Sequence, residues 1–128
     1  MDQIANMIQM IKNASARGHE SVVVPHSKIK LAIAECLLRS GFIAGVSKKS
    51  RKGFPVLEIN LSYVNGSPKV NDVERVSKSS RRMYTGTRAI RPIKNGFGVM
   101  VLTTPKGILT DKEARKELVG GEVLFKMW

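Results

Sequence analysis

Val99-Met100-Val101-Leu102-Thr103-Thr104-Pro105-Lys106-Gly107-Ile108-Leu109-Thr110-Asp111-Lys112-Glu113-Ala114-Arg115 is the stretch around which the chain is organised, with Gly120-Gly121-Glu122-Val123 as its continuation. Residues 99–102 are an apolar run of strand type. They lead directly into a loop, 103–107, that holds two hydroxyls, one cation, one proline without a donor and one glycine that lets backbone approach a partner closely. Thr110-x-x-Glu113 is a capping box and predicts a helix of about two turns. The paired glycines and Glu122 then introduce a last apolar strand over 123–128. Strand, loop, short helix and strand in this order predict a mostly β unit with one helix at this end of the chain.

Working back toward the N-terminus, the periodicity changes. Ile4, Met7, Ile8 and Ile11 recur every three to four residues, so residues after Asp2 predict an amphipathic helix that stops at Gly18. Val22-Val23-Val24 is a short buried-type strand closed by Pro25. Ser27 can cap a second helix whose apolar set is Ile29, Ile33, Cys36 and Leu37, widened by Leu31, Ala34 and Leu38, with Gly41 as its stop. A strand follows over 42–46, then a basic turn, Lys48-Lys49-Ser50-Arg51-Lys52-Gly53. Leu57, Ile59 and Leu61 alternate with Glu58, Asn60 and Ser62, which is the pattern of a half-buried strand.

Asn65-Gly66-Ser67-Pro68 is the best candidate boundary. The expectation is an α/β (α+β) protein of two small domains. Residues 1–66 form an N-terminal unit of two helices and three strands, and residues 67–128 form a mainly β unit with one short helix. Residues 73–77 read either as a strand or as an irregular extended piece. Thr85-Gly86-Thr87 and Asn95-Gly96 read as turns.

Charge narrows the partner. The 128 residues hold 22 Lys+Arg against 10 Asp+Glu, a net charge of +12. The excess is spread over both halves, +5 in residues 1–66 and +7 in residues 67–128. That favours an anionic partner, nucleic acid above a membrane surface. A single cysteine, Cys36, excludes an internal disulfide framework and fits a reducing compartment. No run approaches the roughly 18 apolar residues of a membrane span, and the N-terminus lacks the basic and apolar regions of a signal peptide. The expectation is a cytoplasmic chain with no membrane partner.

Candidate contacts follow the cations. Lys49 and Arg51 in the basic turn can grip phosphates, or simply form a solvated hairpin tip. Lys28 and Lys30 flank a helix start, where free N–H groups and the dipole favour anions. Arg82 and Tyr84, in Arg81-Arg82-Met83-Tyr84, combine a phosphate-pairing cation with a ring that can stack on a base. Arg88 and Arg91 lie on a Gly/Pro-punctuated segment as plausible backbone contacts. Glu122 would repel phosphate, but it can accept from base amino groups or ribose hydroxyls, or orient a neighbouring side chain. Read alone, 103–107 also fits a plain turn whose threonines satisfy local backbone. Cys36 belongs to a core face. His19 and His26 are too few and too isolated for a metal site, and no cofactor motif is present. A small ribonuclease using those histidines and a non-specific DNA-binding protein remain as alternatives.

The order of motifs resembles the small-subunit ribosomal protein S-eight family, bacterial or organellar type, over essentially the whole length. The resemblance rests on residues 2–14 (DQIANMIQMIKNA) and 25–30 (PHSKIK), on Gly41-Phe42-Ile43, Arg75-Val76-Ser77, Arg82-Met83-Tyr84 and Gly96-Phe97-Gly98, and on 103–121 with Glu122. It implies a non-enzymatic structural constituent of the small ribosomal subunit, on a cytoplasmic or organellar ribosome. Such a protein binds the central domain of small-subunit rRNA early in assembly, beside neighbouring small-subunit proteins and not on DNA. In some members it also binds its own operon's messenger. It places the specific RNA site at Thr103, Thr104, Lys106, Gly107 and Glu122, with Pro105 among them as a shape element rather than a donor, and Tyr84, Lys28 and Lys30 near RNA. Thr103 keeps the hydroxyl of the family's first serine. Pro105 stands where the family has a second serine and retains only a carbonyl.

Overall fold

The computed structural model describes residues 3–78, 80–86, 90 and 98–128. The fold is α+β, and the chain forms two compact units, Gln3–Asn71 and Asp72–Trp128. The helix cap expected at Asp2 and the turn at Asn95-Gly96 lie outside the described residues.

In the first unit, α1 (Gln3–Ala16) buries Met7, Ile8 and Ile11 of the predicted stripe together with Ala14, while Ile4 is only partly buried. It packs on β1 (Ser21–Pro25). Ser27 caps α2 (Lys28–Arg39) by accepting the Lys30 N–H at 3.2 Å. β2 (Ile43–Arg51) and β3 (Phe54–Leu61) form an antiparallel hairpin, and β1 pairs with the other edge of β3, so the sheet order is β1-β3-β2. Leu57, Ile59 and Leu61 are buried, as their alternation requires. Residues 65–68, where the sequence places a boundary, form a tight hairpin between β4 (Tyr63–Val64) and β5 (Ser67–Pro68). Asn65 and Gly66 both have positive φ, the arrangement an Asn-Gly pair favours in two-residue hairpin turns.

Two details differ from expectation. The buried stripe of α2 is Lys30, Ile33, Ala34 and Leu37 with Cys36, whereas Ile29 and Leu38 are exposed. The stripe begins one position later than the hydropathy suggested, because the aliphatic stem of Lys30 takes the place assigned to Ile29. The basic turn is also shorter than expected. β2 continues to Arg51, so the cations at 48, 49 and 51 are strand residues and only Lys52-Gly53 turns the chain.

The second unit is built on β10 (Gly121–Met127). One edge pairs with β8 (Val99–Thr104), and the other pairs with β6 (Val73–Arg75) near one end and β7 (Tyr84–Thr85) near the other. The ambiguous 73–77 segment is therefore a strand only through Arg75. A bulge between Val123 and Phe125 leaves the Leu124 carbonyl outside the β8 ladder. That oxygen accepts the Val76 N–H and a nitrogen of the Arg75 guanidinium. α3 (Asp111–Glu117) carries the full capping box of Thr110 and Glu113. Its first residue, Asp111, is buried, accepts the Met100 N–H at 3.2 Å and pairs with Arg115 at 3.2 Å. Ala114 sits against Leu102, Val123 and Ile90. The Thr-Asp-x-x-Ala-Arg run thus docks α3 onto β8.

Candidate nucleic-acid interface

The 103–107 stretch is not a loop leading to a helix. Thr103 and Thr104 end β8, and Gly107 opens a strand that hydropathy alone did not reveal, β9 (Gly107–Thr110), with Thr104 opposite Gly107. Pro105-Lys106 is the turn between them. Proline presets φ for the first turning residue, and Gly107 follows at φ +110°, which other residues adopt only with strain. The Thr104 hydroxyl donates to the Gly107 carbonyl at 2.8 Å and accepts the Lys106 N–H at 3.1 Å. It therefore fastens the turn internally. Pro105, Lys106 and Gly107 are exposed while both threonines are half-buried. The Lys106 ammonium reaches Glu117 at 3.3 Å, and both side chains are half exposed. Water screens such a pair, so it can be exchanged for another anion at little cost.

The strands beside this hairpin bring distant residues into one row. Glu122 lies directly opposite Thr103 on β8 and opposite Tyr84 on β7. Directly opposed residues share a face, so Tyr84, Glu122 and Thr103 point the same way across three strands. The two glycines make this spacing possible. A Cβ on Gly121 would stand 2.1 Å from the Thr103 carbonyl oxygen, and one on Gly120 would stand 2.3 Å from the Thr85 carbonyl oxygen. Any larger residue would push the neighbouring strands away.

Glu122 is held from below and beside. Its side chain is only 13% exposed and pairs with Arg82 at 3.2 Å. Ser77, fully buried, donates its hydroxyl to the other carboxylate oxygen at 2.5 Å and accepts the Met83 N–H at 3.0 Å. Met83 in turn gives its carbonyl to the Val123 N–H. This chain of bonds anchors the short β7 strand, in which Tyr84 is 71% exposed. Ser77 is a site residue that the sequence does not reveal. A polar side chain followed by a basic run gives no sign that a glutamate 45 positions away will claim it.

A family profile described as Ribosomal protein S8 matches residues 2–128. The chain belongs to the ribosomal protein S8 family. Curated relatives agree over nearly full length. The chain is 41% identical to the small ribosomal subunit protein uS8 of Caulobacter sp. (strain K31), covering 99% of this chain and 97% of that protein. It is 40% identical to the uS8 of Pelagibacter ubique (strain HTCC1062) over the same shares. It is 46% identical to that of Polaromonas naphthalenivorans (strain CJ2), over 96% of this chain and 94% of the relative. Membership of the S8 family makes this a ribosomal protein, of a structural and non-enzymatic class that works with RNA in translation, and places it on the ribosome.

Of the residues proposed from sequence, the second unit gathers Thr103, Thr104, Pro105, Lys106, Gly107, Glu122, Tyr84 and Arg82. The first unit carries Lys28, Lys30, Lys49 and Arg51. Lys28 is exposed. Lys30 is not an exposed cation: it is 6% exposed and lines a cleft of ≈ 450 Å³ together with Gln3, Asn6, Met10 and His26. Lys49 is exposed and paired with Glu58 at 2.9 Å. Arg88 and Arg91 lie outside the described residues. Among the described residues, no His, Cys, Asp and Glu side chains group as a metal-binding set, and no helix is long and apolar enough to cross a membrane.

Proposed function

We propose that this protein is a structural constituent of the small ribosomal subunit and a primary binder of the central domain of its rRNA, supporting assembly beside neighbouring small-subunit proteins. The observation that carries this is the cross-strand row of Tyr84, Glu122 and Thr103 beside the β8–β9 turn. An exposed ring, a clamped carboxylate and a stiff hydroxyl-bearing turn are suited to an irregular RNA surface. There, shape, ribose hydroxyls and unstacked bases are legible and a deep major groove is not. Glu122 accepts from base amino or ribose hydroxyl groups, Tyr84 stacks, and Lys106 releases Glu117 for a phosphate. Thr104 acts by holding the turn. Pro105 contributes shape and its carbonyl. The cations Lys28, Lys49, Arg51, Arg88 and Arg91 add phosphate attraction, while Lys30 contributes from within its cleft. An operon messenger that folds to the same RNA shape would occupy the same surface.

The test is binding of the full chain to a central-domain rRNA fragment, with duplex DNA of equal length as competitor at about 0.15 M salt, where weak charge attraction is screened. The fragment is expected to win by at least tenfold. Thr104→Ala is expected to weaken fragment binding by roughly 1–2 kcal/mol, the scale of a lost hydrogen bond with a partner left unsatisfied. Tyr84→Ala is expected to weaken it by roughly 1–3 kcal/mol, the scale of base stacking on an aromatic. Equal affinity for RNA fragment and DNA would sink the reading.

A further inference from the structure

The β2–β3 hairpin ends in eight consecutive exposed residues, 48–55. Four are cations, Lys48, Lys49, Arg51 and Lys52, and one is Phe54, a residue 72% exposed. Lys49 is occupied by Glu58 at 2.9 Å; among the described residues no carboxylate pairs with Lys48, Arg51 or Lys52. The register is what makes the group interesting. Arg51 lies directly opposite Phe54, so the guanidinium stem and the ring rise on the same face of the ribbon. Lys49, two residues back, shares that face, while Lys48 is opposite the core residue Leu57 on the other. A large apolar residue is thus left in water opposite Arg51, with Lys49 diagonal to it on the same face of the hairpin.

The turn itself points to a use for charge at the tip. Lys52 and Gly53 have φ of 53° and 80°. Two successive positive φ values suit Asn-Gly far better than Lys-Gly. A lysine is held in a backbone conformation it disfavours, at the outermost point of the ribbon.

We propose that the β2–β3 tip is a second RNA contact, in which Phe54 stacks on an unpaired base and Arg51 and Lys52 hold the flanking phosphates. The proposal rests on rRNA being the partner, and adds to the surface around Glu122 a separate element on the first unit. Charge selects this occupant: a protein neighbour would have to bring an acidic surface to meet three unpaired cations, whereas a nucleotide brings both the anion and a flat π-face. An unpaired nucleotide is required, because bases inside a duplex are already stacked and their faces inaccessible.

The experiment uses the full chain and purified small-subunit rRNA. Affinity is measured as a function of salt, and base reactivity is mapped by chemical probing, for the parent, Phe54→Ala, Phe54→Tyr, Arg51→Ala and Tyr84→Ala. Phe54 is exposed, so its removal leaves folding intact, and equal melting temperatures check this. Phe54→Ala is expected to weaken binding about 5- to 20-fold at an unchanged salt slope and to expose one protected base, with Phe54→Tyr restoring both. Arg51→Ala is expected to reduce the salt slope by about one. If Phe54→Ala binds and protects like the parent while Tyr84→Ala is weakened, the tip is no RNA contact, a protein neighbour becomes its occupant, and the function proposed above stands. If both alanine variants bind like the parent, both readings fall.

Discussion

Gly121 shows how a single residue controls the candidate site. A methyl group there meets the Thr103 backbone, which has no side-chain freedom with which to give way. Gly121→Ala is therefore expected to destabilise the second unit by about 1–3 kcal/mol, the range for overpacking, and to weaken RNA binding by separating Glu122 from Thr103. The urea midpoint gives the first effect and fragment binding the second; a stable variant with normal binding would show that the strands can part without consequence. Glu122 makes a related point. From sequence it was an anion in a cationic protein, open to several roles. In the fold its carboxylate already accepts from Ser77 and faces Arg82, so it is a positioned acceptor whose cost of ordering is met before any partner arrives.

At the scale of elements, the two hairpins with functional interest solve the turn problem differently. Pro105-Lys106-Gly107 uses proline to preset the first turning residue and glycine to take the positive φ, so the β8–β9 turn is free of strain. The β2–β3 turn keeps Lys52 in the left-handed region, at a cost on the order of 1 kcal/mol. Lys52→Asn is accordingly expected to stabilise the first unit by roughly 0.5–1 kcal/mol in urea or thermal denaturation while reducing the salt dependence of RNA binding. No gain in stability would mean that the turn holds lysine without penalty. α3 is the element most completely written in its own sequence. The hydroxyl of Thr110 and the carboxylate of Glu113 exchange bonds across one turn, and removing the cap by Thr110→Ala is expected to cost about 1 kcal/mol in the same measurement.

For the whole molecule the governing quantity is the charge of +12, distributed over both halves. On the proposed reading, phosphate contacts would supply affinity that falls steeply with salt, and the positioned groups around Glu122 would supply discrimination. If about six phosphates are neutralised, affinity for rRNA is expected to fall roughly 10³-fold between 50 and 200 mM salt. Discrimination between rRNA fragment and duplex DNA should survive that change. A titration series across this range checks both, and discrimination that vanishes with salt would mean that charge alone is being read.

The elements of this protein were legible because their causes are local. The three-to-four-residue spacing in α1, Ser27 and Thr110 as caps and the alternation in β3 each depend on residues within a few positions of one another. The order of such local motifs along the whole chain resembles the family, and the profile match over residues 2–128 establishes it. What only the tertiary structure decided was set by partners far away in sequence. β9 is a strand because β8 folds back on it, although its four residues carry little period of their own. Lys30 is buried because a lysine stem can fill an apolar stripe, beside a cleft that the residue lines, which composition registers only as charge. The opening stretch is readable as a candidate place of contact, but not as a hairpin. Its rigidity comes from the Thr104 hydroxyl, and its neighbours Tyr84 and Glu122 arrive through strand register. Register is fixed by long-range pairing and by two glycines thin enough to permit it, and no local pattern in the chain records that.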